Sequence, residues 1–128
     1  MPDLVRRFLL DLSKSGNLAV ANDVAAWEAQ FHLRIVEAEV YLGNTGGTSG
    51  NTTVDVKLNG TSIFSSAPSI AQGAATKRVR STALTPTFGE PNGVRIQPGD
   101  YVRVDVTAIP GTTSADLTVT LSCIVEDV

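Results

Sequence analysis

A hairpin signal at residues 52–64 limits the possible folds of this chain more than any other stretch. In the run TTVDVKLNGTSIF, apolar residues alternate with polar ones up to Leu58, which is the period-two pattern of a strand with one buried face. Asn59 and Gly60 follow, and both tolerate the positive φ that a type I′ turn requires. We therefore predict that residues 61–64 return antiparallel to the first strand. The hairpin indicates an antiparallel β architecture but carries no chemistry.

The rest of the chain is composed like a thin β-sandwich. Aromatic residues make up only 5% of the 128 residues, and small or β-branched residues are plentiful, which suits strands with small polar outer faces. Residues 101–108 and 115–125 alternate cleanly, and Pro98-Gly99-Asp100 predicts the turn before the first of them. Roughly seven to nine short strands with turn signals between them predict an all-β fold, an antiparallel β-sandwich of jelly-roll type with an N-terminal extension.

The strand predicted at residues 31–42 contains a change of phase. Its apolar side switches between Ile35 and Val36. Either a β-bulge restores the alternation there, or the first half packs against a second surface such as another subunit. Residues 43–51, rich in glycine and small polar residues, are predicted to form a flexible loop between two strands. This loop lacks the Lys-Ser/Thr ending of a phosphate-binding P-loop, which argues against a nucleotide site.

The first 30 residues are the least clearly patterned part of the chain. Residues 1–15 fit either one helical stripe or one strand face, and we favour a strand because the rest of the chain is β. The composition of residues 13–17 predicts a turn. We therefore assign residues 1–30 to an N-terminal arm or added strands, and residues 31–128 to the β-sandwich domain.

Five apolar side chains are candidates for contact with a partner: Leu4, Phe8, Leu12, Trp27 and Phe88. The first three form the apolar side of the N-terminal segment, which holds more apolar residues than one sandwich needs. Trp27 is either a core residue, the interpretation we favour, or an interface anchor. Phe88 is the apolar tip of a predicted loop at residues 85–93, which contains two prolines and two glycines.

The charge pattern argues against nucleic-acid and membrane partners. The net charge is −3, and the ten lysines and arginines are scattered rather than gathered into the basic stripe that nucleic acid requires. No run approaches the roughly 18 apolar residues of a membrane span. Charged residues interrupt residues 1–12, unlike the apolar core of a signal peptide. We therefore expect no nucleic-acid partner, no membrane partner and no export.

Residues suited to catalysis or metal binding are not grouped in the sequence. One histidine, His32, and one cysteine, Cys123, lie in separate predicted strands, so a nucleophile cannot be matched with a base. Asp55, Asp105 and Asp116 lie on the predicted outward faces of strands, where we expect them to be solvated. We predict no catalytic residue, no cofactor and no metal site, and therefore no enzyme.

The chain resembles the β-sandwich domains of virion proteins of tailed bacteriophages, which include small head-decoration (cement) proteins and segments of tail fibres. The resemblance extends over roughly residues 31–121. Three stretches carry it: TTVDVKLNGTSIFSSAPSIAQG with its Asn-Gly hairpin, IQPGDYVRVDVTAIPG with its Pro-Gly-Asp turn, and the closing strand ADLTVTL.

The resemblance implies a non-enzymatic structural protein, a homotrimer on the outer surface of the capsid. It would be assembled in the host cytoplasm and would bind the major capsid protein and further copies of itself. Residues 1–30 would then contact the major capsid protein or a neighbouring copy. The short tail after the last strand favours a decoration protein over a fibre. The alternative is a tail-fibre or receptor-binding module that recognises a host surface glycan, for which Tyr41, Phe88 and Tyr101 are the available aromatic side chains.

Overall fold

The computed structural model of the protein describes residues 7–81, 84 and 93–126. Within these ranges it contains ten β-strands and no helix. The strands are β1 (Arg7–Asn17), β2 (Ala21–Glu28), β3 (Leu33–Asn44), β4 (Asn51–Leu58), β5 (Thr61–Ser62), β6 (Ser69–Ala71), β7 (Arg78–Ser81), β8 (Val94–Ile96), β9 (Tyr101–Ala108) and β10 (Ala115–Val125).

The strands form two antiparallel sheets that pack around one hydrophobic core. Sheet 1 has the order β1-β10-β3-β7, with β8 also paired to β3. Sheet 2 has the order β2-β9-β4-β5, with β6 also paired to β4. Along the chain, β1 to β4 alternate between the sheets, and β9 and β10 return as the neighbours of β2 and β1. This wrapping is the jelly-roll arrangement, and the predicted all-β antiparallel sandwich is confirmed.

The core lies between the sheets because alternation turns every second side chain of the long strands inward. The inward side chains of β9 and β10 are almost fully buried, as their pattern predicts: Val102, Val104, Val106, Leu117, Val119, Leu121 and Cys123. Burying an aliphatic side chain of this size stabilises the fold by about 1.5–3 kcal/mol, so these two strands anchor one sheet each.

The hairpin after β4 forms as predicted, although its return strand is shorter. Asn59 and Gly60 have φ angles of 50° and 88°, so both residues of the turn take the left-handed conformation of a type I′ turn. Strand β5 has only two residues. Ile63 still donates a 2.9 Å backbone hydrogen bond to Val56 of β4, and both Ile63 and Phe64 are buried in the core.

A β-bulge at Val36 restores the phase of β3. Glu37 pairs with Ser122 of β10 and Ile35 pairs with Cys123, which leaves Val36 as the extra residue. The apolar residues before and after the bulge therefore share the inner face of sheet 1. The bulge is the first of the two explanations that the sequence left open, and it accounts for the change of phase within one chain.

Residues 7–28 supply one edge strand to each sheet. Strand β1 pairs with β10, and β2 pairs with β9. The apolar side of β1 points inward, and its Leu10 and Leu12 belong to the same core as the later strands. The turn predicted at residues 13–17 is wrong. Strand β1 continues to Asn17, and the turn-like composition coincides only with a register shift against β10 between Lys14 and Asn17.

The loop between β3 and β4, predicted to be flexible, is tied to the loop between β9 and β10. Gly47 and Thr112 exchange two backbone hydrogen bonds of 2.9 Å. The hydroxyl oxygens of Thr52 and Ser114 lie 2.6 Å apart in the buried region below them. Gly46 has a φ of 78°, and a Cβ atom at this position would collide with the carbonyl oxygen of Thr112. The two loops thus hold one end of the sandwich together.

Candidate functional site

Three aromatic side chains form a cluster that bridges the edge strands β1 and β2. The ring centre of Phe8, at the start of β1, lies 5.9 Å from that of Trp27 near the end of β2 and 5.3 Å from that of Phe31 in the following loop. Trp27 and Phe31 are 6.3 Å apart with an angle of 73° between their planes, an edge-to-face arrangement that is favourable for aromatic pairs. Phe8 and Trp27 are half-buried, and Phe31 is 36% exposed. The cluster packs the two edge strands together and leaves an apolar surface accessible to a partner.

Two of the five predicted contact residues, Phe8 and Trp27, meet in this aromatic cluster. Leu12 is only 6% exposed and packs in the core, so it has little surface to offer a partner. Leu4 and Phe88 lie outside the described residues. Trp27 has both of the properties considered for it, since it packs against the core and remains partly accessible.

Among the described residues, the outer face of sheet 1 is polar and charge-balanced, apart from the exposed side chains of Leu9 and Tyr41. Arg80 of β7 makes ion pairs of 3.5 Å with Glu37 and 3.0 Å with Glu39 of β3. Exposed pairs of this kind contribute little to stability, because solvent screens the two charges. Leu9 on β1 is 63% exposed. It lies opposite the apolar side of its strand, so alternation gives no reason to single it out. Leu9 therefore marks the β1 edge of an otherwise solvated face.

The free edges of the two sheets differ in regularity. The register between β2 and β9 shifts between Ala21 and Ala25, and a bulge of this kind makes an edge unsuitable for further pairing. Strand β1 pairs with β10 without interruption from Arg7 to Lys14. Within the described part of the chain, nothing pairs with the other side of β1. Strand β1 therefore presents a regular row of backbone donors and acceptors.

The outer face of sheet 2 contains a buried charge at Asp105 of β9. This carboxylate is fully buried, which corrects the prediction that it is solvated. Its oxygens lie 3.2 Å from Nζ of Lys57 and 3.2 Å from Nε of Arg103, and one accepts a 2.8 Å hydrogen bond from the backbone N–H of Asp23. Burial raises the pKa of Asp105, but this hydrogen bond and the two cations outweigh burial, so its pKa is lower than usual.

The charge cluster around Asp105 fastens the β2 bulge to sheet 2. Asp23, with a φ of 61°, sits in the bulge, and its carboxylate accepts a 2.8 Å hydrogen bond from the hydroxyl of Tyr101. This bond is the main cause of the raised pKa of Tyr101. Since residues of the chain itself surround Asp105, the cluster has a structural role. Of the other two carboxylates predicted to be solvated, Asp116 is exposed and Asp55 is half-buried.

Shallow clefts at the surface include two of moderate size. One, of about 230 Å³, is lined by His32, Arg95, Ile96, Gln97 and Glu126. Another, of about 290 Å³, is lined by Ser13, Lys14, Ser15, Tyr41, Asp116, Leu117 and Thr118. The exposed rings of Tyr41 and Tyr101 belong to different sheets, so these two tyrosines do not form one continuous aromatic platform.

Among the described residues, potential metal ligands are dispersed and the one thiol is buried. Among them, no three His, Cys, Asp or Glu side chains are grouped so that they could hold a metal ion. Burial in the core raises the pKa of the Cys123 thiol to about 12, so the reactive thiolate is scarce near neutral pH. No helix in this part of the chain is long and apolar enough to cross a membrane. The features that stand out are contact surfaces: the aromatic cluster and the β1 edge with Leu9.

Comparison with solved structures shows a related architecture in a phage capsid. A chain of the capsid of Ralstonia phage GP4 matches over 100% of this chain and 90% of its own length, with 20% sequence identity and a TM-score of 0.51. What the two chains share is the fold. A family 35 carbohydrate-binding module from Clostridium thermocellum matches over 94% of this chain and 95% of its own, with 11% identity and a TM-score of 0.45. No protein-family model matches the sequence, and no curated protein does.

Proposed function

We propose that this chain is a non-enzymatic structural protein of a phage virion, a decoration or cement protein that binds the outside of the head and stabilises the capsid lattice. One observation carries the proposal: all of this chain and 90% of a chain from a phage capsid have the same fold. The match involves the complete jelly roll rather than one motif. The stretches that resemble phage virion proteins, at residues 52–73, 96–111 and 115–121, support it from the sequence side.

The partners in this proposal are the major capsid protein and further copies of the chain, arranged as a homotrimer around a three-fold axis. Closed symmetry lets neighbouring copies cover exposed sheet edges. A protein that binds only the assembled lattice stabilises that lattice by mass action, so no catalytic chemistry is required. Two packed sheets with loops tied at one end suit such a role, because they keep their shape while their surface makes contacts.

We assign the contact with the capsid to the aromatic cluster of Phe8, Trp27 and Phe31. Aromatic side chains contribute strongly to protein interfaces, and Phe31 is 36% exposed beside the half-buried Trp27. Deletion of residues 1–15 would not test this assignment, because Leu10 and Leu12 would be lost from the core. Phe31 lies between β2 and β3 and outside both strands, so we expect its substitution to leave the sheets intact, and it is the better test.

The experiment measures binding of the purified protein to phage heads that lack it, by co-sedimentation, together with the temperature at which the heads open. We expect saturable binding, a higher opening temperature, and at least about tenfold weaker binding for Phe31→Ser. Tyr41→Ser is the matched control, since Tyr41 is 39% exposed on the outer face of sheet 1. Its binding should stay within about twofold of the wild type.

Two results would count against these assignments separately. If the wild-type protein does not bind heads and is missing from purified particles, the virion role is wrong. If the wild-type protein binds but Phe31→Ser binds equally well, the contact lies elsewhere on the molecule and the role itself stands.

The alternative function is recognition of a host surface glycan by a tail-fibre or receptor-binding module. One feature favours it: the cleft of about 290 Å³ that Tyr41, Lys14 and Asp116 help to line, since a ring beside polar groups is a common feature of small-molecule sites. A glycan array tests it. Binding of a defined glycan that is lost in Tyr41→Ser and kept in Phe31→Ser would favour this alternative over head decoration.

A further inference from the structure

We propose that β1 pairs antiparallel with β1 of a second copy of this chain. The two-fold axis between the copies passes beside Leu9 and joins their two sheets 1 into one continuous sheet. The pairing goes beyond the proposed virion role and does not depend on it. If the chain also forms trimers, these strand pairs connect neighbouring trimers across two-fold axes.

The β1 edge has the geometry that strand pairing needs. From Arg7 to Lys14 it is in unbroken register with β10, and this stretch contains no proline or glycine. Natural proteins usually blunt such an edge with a bulge, a proline or a covering segment. The other long edge strand, β2, has a bulge between Ala21 and Ala25. Strand β1 also has a register shift, but it lies between Lys14 and Asn17, so the first eight residues of β1 form an uninterrupted edge, whereas the shift in β2 interrupts the first half of that strand.

The charges on β1 select another copy of β1 as the partner. In a pair centred on Leu9, Arg7 of each copy lies directly opposite Asp11 of the other copy, and the two Leu9 side chains face each other. All three residues lie on the outer face, and Leu9 is 63% exposed in the single chain. Pairing thus forms two opposite-charge contacts and removes the two leucines from water.

Neighbouring registers lack this complementarity. If the two-fold axis is moved by one residue along β1, the residue that lies opposite any given position changes by two. Outward side chains therefore still face outward side chains. An axis at Leu10 would set Leu9 opposite Asp11, and an axis at Asp11 would set two carboxylates face to face. Asp11 is also held in position on the sheet surface, because the Thr120 hydroxyl donates a 2.7 Å hydrogen bond to it. The sequence of β1 therefore favours the register centred on Leu9.

The contact is small, so its strength depends on concentration. A junction of two strands lies at the low end of protein interface sizes, and we expect dissociation constants on the order of micromolar to hundreds of micromolar in solution. Copies held next to each other on a particle would have effective concentrations in the millimolar range. A contact that only a fraction of the molecules make in dilute solution would then be made by most of the copies on the particle.

The test is analytical ultracentrifugation of the whole chain over a dilution series from about 1 μM to about 1 mM. We expect the wild-type mass to double with concentration. Arg7→Asp and Asp11→Arg each put like charges opposite one another at two places, so each should raise the dissociation constant at least about tenfold. The double variant Arg7→Asp/Asp11→Arg exchanges the two charges and should restore pairing to within about threefold.

Two control variants separate pairing from general charge effects. Lys14→Glu changes the net charge by the same amount as Arg7→Asp but lies outside the 7-to-11 pairs, so pairing should persist. Thr120→Val removes the hydroxyl that positions Asp11 without changing any charge, and it should weaken pairing less than either charge reversal. If further contacts assemble the chain into a larger species, a charge reversal should reduce its mass to that of the unit held together without the β1 pairs.

Hydrogen exchange on the wild-type protein gives a second measurement that needs no variant. The β1 amides that point away from β10 should become protected as concentration rises. A wild-type mass that stays constant up to about 1 mM, with no such protection, would overturn the pairing, and so would a double variant that fails to recover. Absence of the protein from phage heads would leave these measurements unchanged, so the two proposals fail independently.

Discussion

Asp105 lies on an outward strand face, where a β-sandwich normally places solvated side chains, yet its carboxylate is fully buried. Lys57 comes from the neighbouring strand β4, Arg103 from the same strand, and the Asp23 N–H from the bulge of β2. A buried charge is tolerated only when it is paired and hydrogen-bonded. The edge strand β2 thus depends on one carboxylate for part of its attachment to sheet 2.

We predict that Asp105→Ala lowers the free energy of unfolding by about 3 kcal/mol, because it leaves Lys57 and Arg103 facing each other without a counter-charge. Asp105→Asn keeps an acceptor for the Asp23 N–H and should cost less. Urea unfolding at pH 7 measures both. The matched control is Asp55→Asn, which lies directly across from Asp105 in the sheet and should cost less than about 1 kcal/mol.

The pH dependence of the free energy of unfolding gives a second measurement on Asp105. The pKa of Asp105 is lower in the folded protein than its usual value, so its contribution to stability is complete above the unfolded-state pKa and is lost as pH falls through the folded-state pKa. The difference in stability between the wild type and Asp105→Asn should therefore be constant near neutral pH and narrow below about pH 4. A difference that widens in acid would contradict the lowered pKa.

At the scale of elements, the contact between the β3–β4 loop and the β9–β10 loop requires a glycine at position 46. A Cβ at this position would lie 2.7 Å from Cγ of Pro110 and collide with the carbonyl oxygen of Thr112, and φ is 78°. We expect Gly46→Ala to destabilise the protein by about 3 kcal/mol. Gly16→Ala is the control, because Gly16 has a φ of 82° but no heavy atom within 4 Å of its ideal Cβ. It should cost only about 1 kcal/mol. Equal losses in the two variants would show that backbone conformation alone, and not the loop contact, sets the cost.

Strands β4, β9 and β10 could be predicted from the sequence because one face of each is buried and the other is polar, so alternation is visible in the residues. The bulge in β3 was one of two explanations for an interruption in that pattern. Strand β2 was predicted only as one of two alternatives, since residues 1–30 were assigned to an arm or to added strands. Its bulge at residues 22–24 breaks the alternation, and alanines on both sides of it give weak contrast.

The candidate site was predicted only in part, because residues that are far apart in the sequence meet there. Phe8 and Trp27 could be selected as large apolar residues in the N-terminal segment, but their meeting with Phe31 depends on which strands become neighbours. The Asp105 cluster joins residues of β2, β4 and β9, and no local pattern shows that three such strands are adjacent. Leu9 lies on the polar side of its strand and becomes notable only because no described strand pairs with the edge beside it.

At the scale of the whole molecule, we propose that a jelly roll with tied loops at one end acts through its surface, by attaching to a phage head. A cryo-EM reconstruction of the intact phage particle in which the proposal places this chain tests that claim most directly. We predict jelly-roll density on the outer surface of the head, with the cluster of Phe8, Trp27 and Phe31 towards the major capsid protein. Density for this chain in the tail fibres, or a fully ordered particle with no place for it, would contradict the account.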